Sequence, residues 1–177
     1  MNNKILVTYT SKYGSTRKYA EWIASALNAD IFAAHSLDSK SLSKYDMVIY
    51  GGGLYAGGIG GVKLVTNNPC KNLIVYTVGL ANPKTTNYSE ILNKNFTPDQ
   101  LEKTKFFHLR GGIDYKRLGP IHKIMMAIMK NMTKRKPESE IDAEDKEFLS
   151  TYNSKVDFEE EKTIEPIIAY IKGLKIV

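Results

Sequence analysis

The stretch Ile5-Leu6-Val7-Thr8-Tyr9-Thr10-Ser11-Lys12-Tyr13-Gly14-Ser15-Thr16 decides how the chain is read. Its first five residues are β-branched and apolar on both faces, which suits a strand buried inside a parallel sheet. A polar turn follows. From about Ser15 onward, Tyr19, Trp22, Ile23, Ala26 and Leu27 recur at helical spacing. The order strand, turn, helix then repeats downstream. Ile31 to Ala34 gives a weak second strand, Met47 to Tyr50 a strong third, Leu73 to Val78 a fourth and Lys105 to Leu109 a fifth. Short helical stretches lie near Glu90 and after Asp99. Such alternation predicts right-handed crossovers and an α/β fold, a doubly wound five-stranded parallel sheet with helices on both faces.

Composition narrows the class. The 177 residues are 42% hydrophobic and 25% charged, ordinary for one soluble domain spanning 1–177. Cys70 is the single cysteine, which excludes a disulfide framework and any multi-cysteine metal site. It follows Pro69 without a histidine partner and reads as an inert thiol. His35, His108 and His122 are too scattered for a metal cluster. The longest apolar run, Ile124 to Met129, is six residues, far below the roughly 20 that span a bilayer. Met1 to Lys4 leads straight into a strand without a signal-peptide pattern, so a cytoplasmic protein is expected. Net charge is +6, from 25 Lys and Arg against 19 Asp and Glu, which favours an anionic partner. The positive charge gathers between Lys116 and Lys136, the negative between Glu138 and Glu165.

In open parallel sheets ligands bind beyond the carboxyl ends of the strands, so the chemistry is sought in the loops there. The first loop, Thr10-Ser11-Lys12-Tyr13-Gly14-Ser15-Thr16, places four hydroxyls and a glycine at a helix start, the makings of a phosphate cradle. The competing reading is that Ser15 or Thr16 only caps the helix. A GxxxxGK[ST] pattern is missing, which excludes a nucleoside-triphosphatase loop. The second loop runs from Gly51 to Gly58. Its Gly51-x-Gly53-x-x-Ala56 spacing suggests a dinucleotide fingerprint, but Val75 to Val78 offers no acidic residue for a ribose, and that reading fails. Glycines there instead let main chain approach a flat ligand, with Tyr55 free to stack on it. The third loop, Gly79-Leu80-Ala81-Asn82-Pro83, either offers backbone N–H groups to a ring or simply turns the chain.

Together these loops resemble the flavodoxin-like family of FMN proteins, from Lys4 to the last helix. The resemblance implies strand order 2-1-3-4-5 and a non-covalent FMN. It implies that Thr10, Ser11, Lys12, Tyr13, Gly14, Ser15 and Thr16 wrap the phosphate. Gly52, Gly53, Leu54, Tyr55, Ala56 and Gly57 would then lie beside the isoalloxazine, and Gly79, Leu80, Ala81 and Asn82 would edge its pyrimidine end. Electron-carrier flavodoxins are acidic and commonly add a second aromatic from the third loop. This chain is basic and that loop has none, so either one flavin face stays uncovered and admits a substrate, or Tyr88 or Tyr115 fills the place.

The region at about 110–158 narrows the resemblance. Leu109-Arg110-Gly111-Gly112 follows the fifth strand, and a helix is predicted from about Pro120 to Met132. Ile121, Ile124, Met125, Ile128, Met129 and Met132 form one wide apolar face, with His122, Lys123, Lys130 and Lys134 opposite and Met126 stranded among them. Either this is a core helix with a solvated basic face, or it meets an anionic membrane or an apolar electron acceptor. The arrangement is similar to the oxygen-independent protoporphyrinogen dehydrogenases, FMN enzymes of heme biosynthesis that pass electrons to quinones. That likeness implies an FMN-dependent oxidoreductase with a quinone-type acceptor or other redox partner. It makes Arg110, Lys116 and Arg117 candidates for a substrate's carboxylates, and Lys130, Lys134 and Arg135 candidates for peripheral membrane contact. The alternative is a soluble electron carrier without its own substrate. Nucleic acid is not an expected partner, since no aromatic stacking platform accompanies the basic helix. Thr133 to Lys155 reads as an irregular or mobile excursion. A last helix buries Ile167, Ile168, Tyr170 and Ile171, starting either at Asp157 or with Thr163 as its cap and Pro166 in its first turn.

Overall fold

The computed structural model describes residues 4–174; Met1 to Asn3, on which the reading of the chain's start partly rests, lie outside the described residues. The chain alternates as the sequence suggests. Its elements are β1 (Ile5–Thr10), α1 (Ser15–Leu27), β2 (Asp30–Ala33), α2 (Ser39–Leu42), β3 (Met47–Tyr55), β4 (Gly58–Ile59), α3 (Lys63–Thr66) and β5 (Leu73–Gly79). After these come α4 (Ser89–Asn95), α5 (Pro98–Lys103), β6 (Thr104–Arg110), β7 (Gly112–Asp114), α6 (Pro120–Lys134), α7 (Ala143–Thr151), β8 (Lys155–Asp157) and α8 (Glu165–Gly173). The parallel sheet runs β2-β1-β3-β5-β6, the expected order, and reverses direction between β1 and β3. Ligands of such folds lie beyond the carboxyl ends at that reversal.

Alternate strand residues feed two cores, as period-2 geometry requires. Val7, Ile49 and Tyr76 pack with Tyr19, Ile23, Ile167 and Ile171 of α1 and α8. Leu6, Val48, Tyr50 and Val75 pack on the other face with Leu42 and Phe96. The fully buried Tyr76 crosses over Gly51, where an added Cβ would sit 2.2 Å from its ring, and its hydroxyl donates to Thr16 O at 3.0 Å. A sheet tyrosine thereby fixes the height of the first turn of α1.

Four expectations change. The glycine run is not a free loop: β3 continues through Tyr55 and turns back into β4 on a two-residue hairpin. Ala56 (φ 48) and Gly57 (φ 72) are both left-handed, the type I′ geometry such a turn requires. The excursion after Thr133 is ordered around α7, capped reciprocally by Asp142 and Asp145, and β8, which pairs antiparallel with β7. Phe148 and Tyr152 anchor it against Tyr115. The last helix starts at Glu165 with Pro166 in its first turn, whereas Thr163 donates to Glu160 O and does not cap it.

The fourth change concerns α6. Its broad apolar face does not enter the core: Ile121, Ile124, Ile128, Met129 and Met132 are 73, 61, 54, 50 and 66% exposed. The helix packs instead through Met126 and Thr133, on the arc read as its basic side. Lys130 lies over the Tyr152 ring at 4.0 Å, its stem used as packing and its charge as a cation–π partner. Among the described residues no helix is long and apolar enough to cross a membrane.

Candidate functional site

β1 delivers Thr10 to the sheet's carboxyl edge, level with Gly52 of β3. The turn that follows is closed by Ser11, whose Oγ accepts from Gly14 N–H at 3.2 Å. Gly14 holds φ 110 at the N-cap of α1, a conformation that favours glycine, and no side chain caps the helix. The capping alternative for Ser15 and Thr16 therefore does not describe this helix. Ser15 Oγ accepts from Gly112 N–H at 3.3 Å and keeps its own proton for another acceptor. Thr16 is buried. A 13-residue helix thus ends in free N–H groups beside serine and threonine hydroxyls, which favours a bound anion.

Thr10 and Tyr13 are committed differently from the sequence expectation. Tyr50 Oη donates to Gly60 O at 2.5 Å and lies 2.9 Å from Thr10 Oγ1. A phenol has one proton, so Thr10 donates to Tyr50 and brings no hydroxyl proton to an anion. Burial pushes the Tyr50 hydroxyl up to about 12, keeping that chain neutral. Tyr13 points towards α6: its hydroxyl accepts from Gly119 N–H at 3.3 Å and lies 2.5 Å from His122 Nδ1. Lys12 is exposed, with Nζ 5.8 Å from the Tyr13 ring centroid.

The flat face at Tyr55 is covered. The His122 imidazole lies parallel to the Tyr55 ring, 4° off plane and 5.1 Å between centroids, with Tyr13 edge-on to both. Burial, then the Tyr13 hydroxyl, raises the Tyr55 pKa, and burial with nearby Lys12 lowers that of His122. His122 was legible only as a lone histidine on a basic helix face. Its placement depends on how α6 folds back over the loops. Tyr88 and Tyr115, the candidates for a second ring against the flavin, are packed on other partners. Tyr88 stacks on His108, centroids 3.6 Å apart, and Tyr115 packs on Tyr152.

Gly52 and Gly53 lie within β3, where added Cβ atoms would meet Ile59 and Tyr55 at 2.4 and 2.8 Å. These two glycines accommodate the protein's own side chains. Leu54, half-buried, packs over Gly79 at the end of β5. The third loop is a turn tied from both sides: Asn82 Oδ1 accepts from Lys84 N–H, and Asn82 O accepts from Thr85 and Thr86 N–H. Ala81 lies between Asn82 and Leu80, half-buried.

Arg110 is not free to meet a ligand carboxylate. Its Nε donates to Leu80 O at 2.8 Å, its terminal nitrogen pairs with Glu147, and its guanidinium lies 3.6 Å from the Phe158 ring centroid. It joins the third loop to α7. Lys116, Arg117, Lys134 and Arg135 are exposed. Burial raises the Cys70 thiol to about 11, in keeping with an inert group. Among the described residues no cluster of His, Cys, Asp and Glu could hold a metal ion.

A family model described as a flavodoxin domain matches residues 6–140. No curated protein matches the chain at a significant level. Solved structures similar to it include a flavodoxin from the domain Archaea, 14% identical with a TM-score of 0.43, over 60% of this chain and 82% of that one. Another is oxidised flavodoxin 2 from Bacillus cereus, at 18% and 0.44, over 60% and 84%. A flavoprotein in complex with FMN from Lactobacillus acidophilus is 13% identical, with a TM-score of 0.41, over 61% and 92%.

Proposed function

The chain belongs to the flavodoxin domain family, a family of FMN proteins, and from that premise we propose that it binds FMN non-covalently and transfers electrons through it. The observation that carries the reading is the uncapped N-terminus of α1, with Gly14 at φ 110 and the Ser11, Ser15 and Thr16 side chains around it. The residues present suit the cofactor. Its phosphate needs N–H and O–H donors without a competing carboxylate, which this turn provides. Its ring needs a flat wall, and Tyr55 already carries a planar group, His122, on one face. FMN supplies the capacity to accept and donate one or two electrons. The chain orients it, with Tyr55 shielding the ring from water once His122 has moved aside and Leu54 and Leu80 closing the apolar side.

The finer reading is an enzyme that oxidises its own substrate and passes the electrons to a quinone-type acceptor, with protoporphyrinogen as the substrate to try first. It is supported by the third loop, Gly79 to Pro83, which carries no aromatic residue to cover the second face of a flavin resting on Tyr55. The exposed apolar arc of α6 adds a partner: a membrane leaflet bearing anionic lipid. From Tyr115 to Pro137 the chain carries seven Lys and Arg and no Asp or Glu, with isoleucines and methionines on the opposite arc of α6. An amphipathic helix of that composition lies in the interface plane.

Purified protein is expected to be yellow and to turn over protoporphyrinogen anaerobically with a quinone. Flavin absorbance without turnover, and reduction in two separated one-electron steps, would instead select the electron carrier. Colourless protein that takes up no FMN would end both readings. In vesicle pelleting, changing Lys134 and Arg135 together to Ala is expected to weaken binding by about 2 kcal/mol, from about 1 kcal/mol per charge. Equal pelleting from neutral and anionic vesicles would contradict the charge argument.

A further inference from the structure

Where β6 ends, Arg110 stands level with Gly79, the last residue of β5. Tyr19 Oη donates to Arg110 O at 2.8 Å, which anchors this corner to α1. Gly111 N–H donates to Gly79 O at 2.7 Å, and Arg110 Nε donates to Leu80 O at 2.8 Å. Two successive carbonyls at the start of the third loop are thus held from the β6 side. Both peptides are trans, so each N–H points opposite to its carbonyl. Leu80 N–H therefore faces β3, where Leu54 packs on Gly79, and Ala81 N–H faces away from Arg110. The turn that follows closes through Lys84, Thr85 and Thr86 N–H onto Asn82 and uses neither donor.

Arg110 is held in turn by the segment around α7. Glu147 pairs with its terminal nitrogen, and Phe158, just after β8, covers the guanidinium with its ring centroid 3.6 Å away. One planar fork serves Leu80, Glu147 and Phe158 together, which a lysine cannot do. Glu144 lies three residues before Glu147, on the same face of α7, and accepts from Thr85 Oγ1 further along the third loop. Helix α7 therefore grips that loop at two points.

We propose that Arg110 is a positioning residue of the flavin site: it fixes the Leu80–Ala81 peptide so that the Leu80 and Ala81 N–H groups are presented to the ring's carbonyl edge. This rests on the flavin reading and deepens it. A ring that has taken up electrons carries more negative charge on that edge, so donors held in place bind the reduced form more strongly than the oxidised form. Glu147 already neutralises the guanidinium, so Arg110 acts through the placement of the loop and not through a free charge. The segment carrying α7 thereby reaches the flavin without touching it.

The test is a dye-equilibrated reductive titration of the FMN-loaded protein. Arg110→Gln is expected to bind reduced FMN about tenfold less tightly relative to oxidised FMN, which lowers the two-electron couple by about 30 mV. Arg110→Lys keeps the charge but not the fork and is expected to show the same shift. Thr85→Val, at an exposed position, cuts the other link to α7 and is expected to weaken the relative binding of reduced FMN about threefold. An unshifted couple in Arg110→Gln would overturn the proposal. So would a wild-type couple in Arg110→Lys, since charge and not placement would then be at work. Amide hydrogen exchange of segment 79–86, read by mass spectrometry without flavin, should be faster in Arg110→Gln and unchanged in β1 and β3; equal exchange in segment 79–86 would also overturn it. Where Arg110→Gln loosens the whole chain, Thr85→Val decides, and an unshifted couple there counts against the proposal. No FMN uptake by the wild type would end the flavin reading, whereas FMN uptake with unshifted variants would end this inference alone.

Discussion

Replacing His108 by Gln should flatten the acid limb of the protein's stability. His108 sits in β6 opposite Thr77 of β5, with Thr77 Oγ1 2.6 Å from its Nδ1 and the Tyr88 ring stacked on its face. Burial among these neutral groups pushes its pKa down from an ordinary 6.5 to about 4. The unfolded chain therefore takes up the proton first as pH falls. Stability from this residue is complete above about pH 6.5, declines from there to about pH 4, and falls no further once both states are protonated. At 1.36 kcal/mol per pH unit, that interval amounts to about 3 kcal/mol. His108→Gln keeps a polar partner for Thr77 but does not titrate, so it carries a pH-independent cost and lacks the acid loss. Urea unfolding at several values between pH 7.5 and 4 measures both proteins. The stability difference should shift in the variant's favour by about 3 kcal/mol across that range. Parallel curves would refute the argument, since they would mean that His108 titrates normally in the folded state.

Three further outcomes follow from the same geometry. Thr8 is fully buried in β1 and its hydroxyl has no partner among the described residues, so the near-isosteric Thr8→Val should raise stability by about 1 kcal/mol in thermal or urea unfolding; a loss would reveal a hidden hydrogen bond. Changing Ser11 and Thr16 together to Ala should weaken FMN retention by about 1–3 kcal/mol, read from quenching of flavin fluorescence, and unchanged retention would move the cradle elsewhere. Ala56→Gly relieves a left-handed alanine at φ 48 and should stabilise the hairpin by several tenths of a kcal/mol, while destabilisation would mean the turn tolerates Ala without strain.

The sheet was legible because its signals are local. Ile5 to Tyr9, Met47 to Tyr50 and Leu73 to Val78 are runs that burial on both faces demands, and each became a central strand. The hydroxyl turn was legible for the same reason, since strand, turn and helix are contiguous there. What escaped depends on contacts between distant residues. The apolar arc of α6 satisfies every pattern rule for a core helix, yet the sheet's faces are already covered by α1 and α8 on one side and α2 to α5 on the other. The helix is therefore left at the edge, resting on Met126. Arg110 carried no mark of its partners, because Glu147 lies 37 residues away on an element that reads as polar coil. His122 and Tyr55 meet only through the same fold-back of α6. Tyr50, read only as a strand residue, removes Thr10 from the set of free hydroxyls through a contact 40 residues long in sequence.

Parallel titration of the purified protein with FMN and with riboflavin, which differ only in the phosphate, tests the central claim most directly. Two or more charge-assisted hydrogen bonds from the first turn of α1 are worth about 3 kcal/mol or more, so FMN should bind at least about 100-fold more tightly. Equal affinity for the two, or uptake of neither, would contradict the account.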